Sequence, residues 1–208
     1  MQSLPERRRN PRPLGRGGCQ ERTLGKLIAA AKPFLRITGV QPQIWYRPMQ
    51  DPADTRIGPW RFVAEFDVVD KAAWSQSGEV IYFVTDQAGR LRLVGESSNK
   101  LKHRWKEVPA HHAQTKARLP KKALFHSSAW PAIEGGFSAG EKAPFTVSAL
   151  FRPELEALCR AEGHGSPLFA ALSIPEGRKL LSFHVETWVC SLHFGTAPLW
   201  NKRKVTRR

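Results

Sequence analysis

Between Pro109 and Trp130 the chain gathers side chains able to do chemistry. Lys116, Arg118, Lys121 and Lys122 form a basic run interleaved with Leu119, Phe125 and Trp130. Cations hold phosphates and aromatic rings stack on bases, so this composition suits a nucleic-acid surface. The competing reading makes the aromatics core, which fits Trp130 better because Pro131 and Ile133 follow it. His111-His112 is a second candidate. Imidazoles ligate metals, but adjacent ones point apart on a helix or strand, and the four-ligand spacing of zinc sites is missing. A third is Glu186, set in the apolar stretch KLLSFHVETWVCSLH over 179–193. Burying a carboxylate without a partner is costly, so Glu186 is expected to have one.

The charge balance narrows the partners. Lys and Arg number 33 against 18 Asp and Glu, a net charge of +15 over 208 residues. Such an excess points to a polyanion, nucleic acid first; a merely solvated basic surface is the alternative. At 41% hydrophobic residues there is enough to build a core. Cys19, Cys159 and Cys190 show no CxxC spacing, which speaks against a cysteine-pair zinc site and a disulfide framework. No apolar run is long enough for a transmembrane span, and the basic N-terminus lacks a signal-type apolar segment. An intracellular setting without membrane contact is expected.

The elements that must position these residues centre on 78–106. Val80 to Thr85 is β-branched and aromatic, Asp86 to Gly89 has turn chemistry, and Leu91 to Val94 resumes a period of two. This predicts a hairpin in which Leu91, Leu93 and Gly95 share a face. A helix should follow, with Leu101 and Trp105 on one side and Lys100, Arg104 and Lys106 elsewhere. Upstream, residues 1–22 read as a basic disordered tail. Residues 23–77 read as an extension: a helix over Thr23–Ile37 that Pro33 ends or kinks, then strands over 43–47 and 60–69. Downstream, 135–142 is loop-like, 144–151 a strand, 152–160 a short helix and 179–193 an apolar helix. The fold class is α+β, a small mixed or antiparallel sheet flanked by helices.

The hairpin resembles the opening of a GIY-YIG nuclease domain. Val80-Ile81-Tyr82 stands where GIY would be, and Leu93-Val94-Gly95 where YIG would be. The run Val94-Gly95-Glu96-Ser97-Ser98-Asn99-Lys100-Leu101-Lys102-His103-Arg104 is similar to that family's VG-(E/K)-S-x-N-x-L-x-x-R, which puts Arg104 on its arginine. Glu186 matches the family's helix-borne metal-binding glutamate, and Pro198-Leu199-Trp200-Asn201 its P-x-x-N element. The likeness covers 78–106 and 179–202 within a domain of 78–202. It makes 110–175 an insertion and 203–208 a basic C-terminal tail. Val80 departs from the first glycine and Leu93 from the second tyrosine, itself an active-site residue of the family.

The resemblance implies a metal-dependent endonuclease acting on DNA, with double-stranded DNA as partner. Glu186 would hold one Mg2+ (or Mn2+), Arg104 would steady the phosphoryl charge, and Tyr82 would orient or deprotonate the attacking water. With Leu93 in place of a tyrosine, His103 or His184 is a further candidate for that proton. Gly95 and Asn201 would be structural at the site. Lys100, Lys102, His103 and Lys106, with Lys116, Arg118, Lys121 and Lys122, would contact nucleic acid. Tyr82, Arg104 and Glu186 should then line one cleft with Asn201 behind; Arg104 and Glu186 on opposite faces would end this hypothesis. The alternatives are a nuclease-derived binding protein with weakened catalysis and an RNA-associated basic α+β protein.

Overall fold

Valines, isoleucines and aromatics concentrated at 32–46, 60–68, 80–97 and 145–151 build one antiparallel sheet, and helices cover it on both sides. The computed structural model describes residues 16–47, 58–120, 122–126, 129–174, 180–192 and 200–201. In chain order the elements are α1 (Arg16–Ala30), β1 (Lys32–Tyr46), β2 (Trp60–Val68), α2 (Lys71–Ser75), β3 (Val80–Thr85) and β4 (Leu91–Ser97). Then come α3 (Leu101–Arg104), β5 (Trp105–Val108), β6 (His111–His112), β7 (Ala123–His126) and α4 (Trp130–Ser138). The chain continues with β8 (Phe145–Phe151), α5 (Arg152–Ala161), α6 (Pro167–Leu172) and α7 (Leu181–Leu192).

The sheet runs β2-β1-β8-β3-β4, with β6 joining the far end of β1, while β5 and β7 form a separate two-stranded ribbon. Every pairing is antiparallel. The α+β class is therefore as expected. The domain boundaries are not what the hairpin alone suggests. β8, inside the stretch expected as an insertion, is the central strand between β1 and β3, and β1 and β2 of the extension complete the same sheet.

Two cores flank the sheet. One joins Tyr82, Val84 and Leu93 to Phe34, Trp45, Trp105, Phe125 and Trp130, under the β5–β7 ribbon and α4. The other joins Ile81, Phe83, Val94 and Leu150 to Leu27, Leu155, Leu168, Val185 and Val189, under α1, α5, α6 and α7. Alternation along β3 sends odd and even residues to different cores.

Several local expectations need correction. The helix expected over Thr23–Ile37 stops at Ala30: Pro33 removes a donor, and Phe34, Leu35 and Ile37 are buried in β1 instead. Residues 16–22, expected within the disordered tail, are the first turns of α1; residues 1–15 and 203–208 lie outside the described residues. The helix after β4 lasts only four residues, and Trp105 opens β5 rather than riding on α3. Part of the loop expected from Gly135 is the end of α4. Finally, Val84 pairs with Leu93 but Thr85 with Leu91, so Arg92 is an extra residue. Such a bulge reverses the alternation, placing Leu91 in the α7-side core while Leu93 stays with Tyr82.

Candidate active site

The hairpin turn is fixed by Asp86, whose carboxylate accepts from the backbone N–H of Ala88 and Arg90 and from Arg90 Nε at 2.8 Å. These bonds hold the carboxyl below its ordinary range although burial opposes them. Gly89 closes the turn at φ +73°. With the hairpin set, Tyr82 pairs with Gly95 across β3 and β4. Its ring lies against the bare Cα of Gly95, and any β-carbon there would strike the phenol.

Tyr82 is 2% exposed. Its hydroxyl lies 2.7 Å from His126 Nε2 at the end of β7, and His126 Nδ1 accepts the backbone N–H of Ala129 at 2.9 Å. Trp105, paired with His126 across the ribbon, packs edge-on against both rings. Burial pushes the Tyr82 phenol well above its ordinary value; Arg104 opposes that, and Glu186 and Glu96 add to it. Burial, aided by Arg104, pulls the His126 imidazole down to about 3, so it is neutral at physiological pH.

Arg104 ends α3 half-exposed and donates from Nη2 to the Glu96 carbonyl at 3.0 Å. Glu186 is 5% exposed on α7. The position of α7 is set by Glu79, which accepts the Ser182 N–H at 2.7 Å and Arg152 Nη1 at 3.0 Å. α3 and α7 pack on opposite faces, Leu101 in one core and Val185 and Val189 in the other. A single cleft on one side of the sheet is therefore not how the charges assemble. The Tyr82 phenol sits on the α3 side, and charge from Arg104, Glu186 and Glu96 bears on it.

Asn201 seals that edge. Its side chain accepts the Val94 N–H at 3.0 Å and donates to the Val94 carbonyl at 2.5 Å. Trp200 N–H donates to the Arg92 carbonyl at 2.6 Å. With Arg104 on the Glu96 carbonyl, the outward groups of β4 at 92, 94 and 96 gain partners, which removes a template for stray strand pairing. Asn201 thus acts on the backbone, and Gly95 on the seat of Tyr82.

Among the proposed contact residues, Lys100, Lys102 and Lys106 are half-exposed and His103 is exposed around α3 and β5. Lys116 is exposed, donates to the Ala113 carbonyl at 2.9 Å, and lies 4.6 Å over the Tyr46 ring. Arg118 is exposed opposite His111, and Lys122 sits 3.5 Å from Glu107. Lys121 lies outside the described residues. His111 stacks beside Tyr46, and His112 Nδ1 accepts the N–H of Gln114 and Thr115, so both rings serve the β6 turn. Trp130 is core, as expected.

Among the described residues no group of three or more His, Cys, Asp and Glu is placed to hold a metal. Magnesium asks for less, one or two carboxylates with water and phosphate completing its octahedron. Glu186, buried on α7, could supply one such carboxylate.

Two residues of this constellation escape a reading of the sequence. His126 follows the apolar run Ala123-Leu124-Phe125, and no spacing ties it to Tyr82, 44 positions earlier. Glu96 lies inside the similar run, but only the structure shows its charge bearing on the phenol. No known protein family, curated protein or solved structure matches this chain. Among the described residues no helix is long and apolar enough to cross a membrane.

Proposed function

We propose that this chain is a metal-dependent endonuclease that hydrolyses phosphodiester bonds in double-stranded DNA through a GIY-YIG-type site. The observation that carries the reading is one buried hydroxyl, Tyr82, set over Gly95 within the field of Arg104, Glu186 and Glu96. Phosphoryl transfer asks little covalent work of a protein; it asks for positioned charge. Arg104 is permanently charged and offers the phosphate a planar fork of donors. Glu186 would hold Mg2+ or Mn2+, which would neutralise phosphoryl charge and ease departure of the leaving oxygen. Tyr82, kept protonated by burial, orients the phosphate or the attacking water. The exposed cations from Lys100 to Lys122 would track the DNA backbone. The reading requires Arg104, from α3, and Glu186, from α7, to reach one phosphate around the β4 edge at Gly95.

Three thiols, Cys19, Cys159 and Cys190, are free, in keeping with an intracellular protein. The test is cleavage of supercoiled plasmid with magnesium or manganese by wild type, Glu186→Gln and Arg104→Met. Each variant should lose about 10²- to 10³-fold in rate, the scale of removing a charge that acts on the transition state. DNA binding without cleavage under either metal would transfer the assignment to a binding protein descended from a nuclease.

A further inference from the structure

Beyond the charged groups, the ring bonded to Tyr82 decides what Tyr82 can do. A backbone N–H can only donate, so His126 Nδ1, which receives Ala129 N–H at 2.9 Å, must present a lone pair. A neutral imidazole then carries its proton on Nε2, 2.7 Å from the Tyr82 oxygen. The phenol oxygen accepts that proton, and its own hydrogen must point elsewhere. The other groups acting on the hydroxyl are Arg104 from α3, Glu96 from β4 and Glu186 from α7. We propose that His126 is a positioning residue that commits Tyr82 to accept from its Nε2–H and so to turn the hydroxyl hydrogen away from the imidazole, free to donate to another acceptor. In the nuclease reading, on which this last step rests, Tyr82 is a donor to a phosphoryl oxygen or to the attacking water. It is not the base that deprotonates that water.

The structure gives His126 the rigidity this role requires. It is 2% exposed, its ring is wedged against Trp105 at 4.7 Å between centroids, and its Nδ1 is anchored to the backbone leading into α4. Reversing the tautomer would set Nδ1–H against the Ala129 N–H and strand that donor in a buried place, which opposes the reversal.

The experiment reads the tautomer directly, without relying on catalysis. Nitrogen-15 spectra of the histidine rings, with the His126 signals assigned by their loss in His126→Gln, should show an unprotonated Nδ1 and a protonated Nε2. Tyr82→Phe should shift the Nε2–H resonance while leaving Nδ1 in place. An Nδ1–H tautomer, or an imidazolium at neutral pH, would overturn the inference whatever the enzyme does. In the plasmid assay, His126→Gln, which can still present an N–H near Tyr82, should retain most of the rate. His126→Phe, which fills the space without a donor, should lower kcat on the order of 10²-fold with KM unchanged, the scale of a misplaced reacting group. Equal rates for the Gln and Phe variants would also overturn it. If wild type cuts no DNA, the nuclease reading fails while the tautomer measurement still decides the role of His126.

Discussion

The phenol of Tyr82 occupies the space that a side chain at position 95 would need. The two residues face each other across β3 and β4, and a β-carbon on Gly95 would overlap the Tyr82 hydroxyl and ring. Gly95→Ala should therefore act as an overpacking mutation, costing about 1–3 kcal/mol as the ring is pushed from its place. Because the ring's displacement also breaks its bond to His126, plasmid cleavage should fall further than stability does. Urea denaturation beside the cleavage assay checks both. Unchanged stability would mean that the ring has room to step aside, and that the glycine is not what seats it.

His126 makes stability depend on acid. Its folded-state pKa is depressed to about 3 from 6.5, so between those values the unfolded chain binds a proton that the folded chain refuses. Stability from this source is complete above pH 6.5 and declines as pH falls toward 3, by about 1.4 kcal/mol per pH unit inside that window. Urea midpoints at pH 7.5, 6.5, 5.5 and 4.5 should trace the decline. His126→Gln should remove most of that slope. An equal slope in wild type and variant would assign the acid sensitivity to other groups.

The parts that could be read from the sequence are those whose signal is local. Val80 to Val84 and Asp86 to Gly89 announce strand and turn because β-branched residues and an Asp/Gly turn need no distant help. Leu24, Leu27, Ile28, Ala31 and Leu35 keep helical spacing through Pro33, so the switch from α1 to β1 is hidden in the periodicity. Arg92 is hidden in the same way, since a bulge adds a residue without altering composition. Tyr82, Arg104 and Glu186 could be singled out through the similar run around Gly95 and the apolar helix. His126 could not, because only the pairing of β5 with β7, Trp105 against His126, brings it to the phenol.

Binding to a DNA duplex should weaken steeply with salt, because each neutralised phosphate releases counterions. Lys116→Ala together with Arg118→Ala should reduce the slope of log K against log salt by about 0.9 for each phosphate that is no longer neutralised. The same measurement on a chain lacking residues 1–15, trimmed to spare α1, tests whether the arginine-rich tail touches the DNA backbone. A slope unmoved by the double substitution would remove this surface from the DNA interface.

The last prediction concerns Leu93, where the similarity to GIY-YIG nucleases lacks its second tyrosine. Leu93 is 2% exposed, pairs with Val84, and packs in the core that holds Tyr82 and Trp105. A phenol there would enter filled space, so Leu93→Tyr should lose about 1–3 kcal/mol. Leu93→Ala, which leaves a cavity, should lose about 2–5 kcal/mol. An aliphatic side chain cannot hold or deprotonate a water, so the proposed mechanism assigns no chemistry to position 93. Leu93→Tyr should then leave the cleavage rate at or below that of wild type, measured on plasmid with magnesium at matched folded fractions. A gain on the order of tenfold or more, about 1.4 kcal/mol of barrier, would show instead that the missing hydroxyl limits catalysis. A wild type and a Leu93→Tyr variant that both bind DNA and both leave it intact would favour the binding-protein reading over the nuclease.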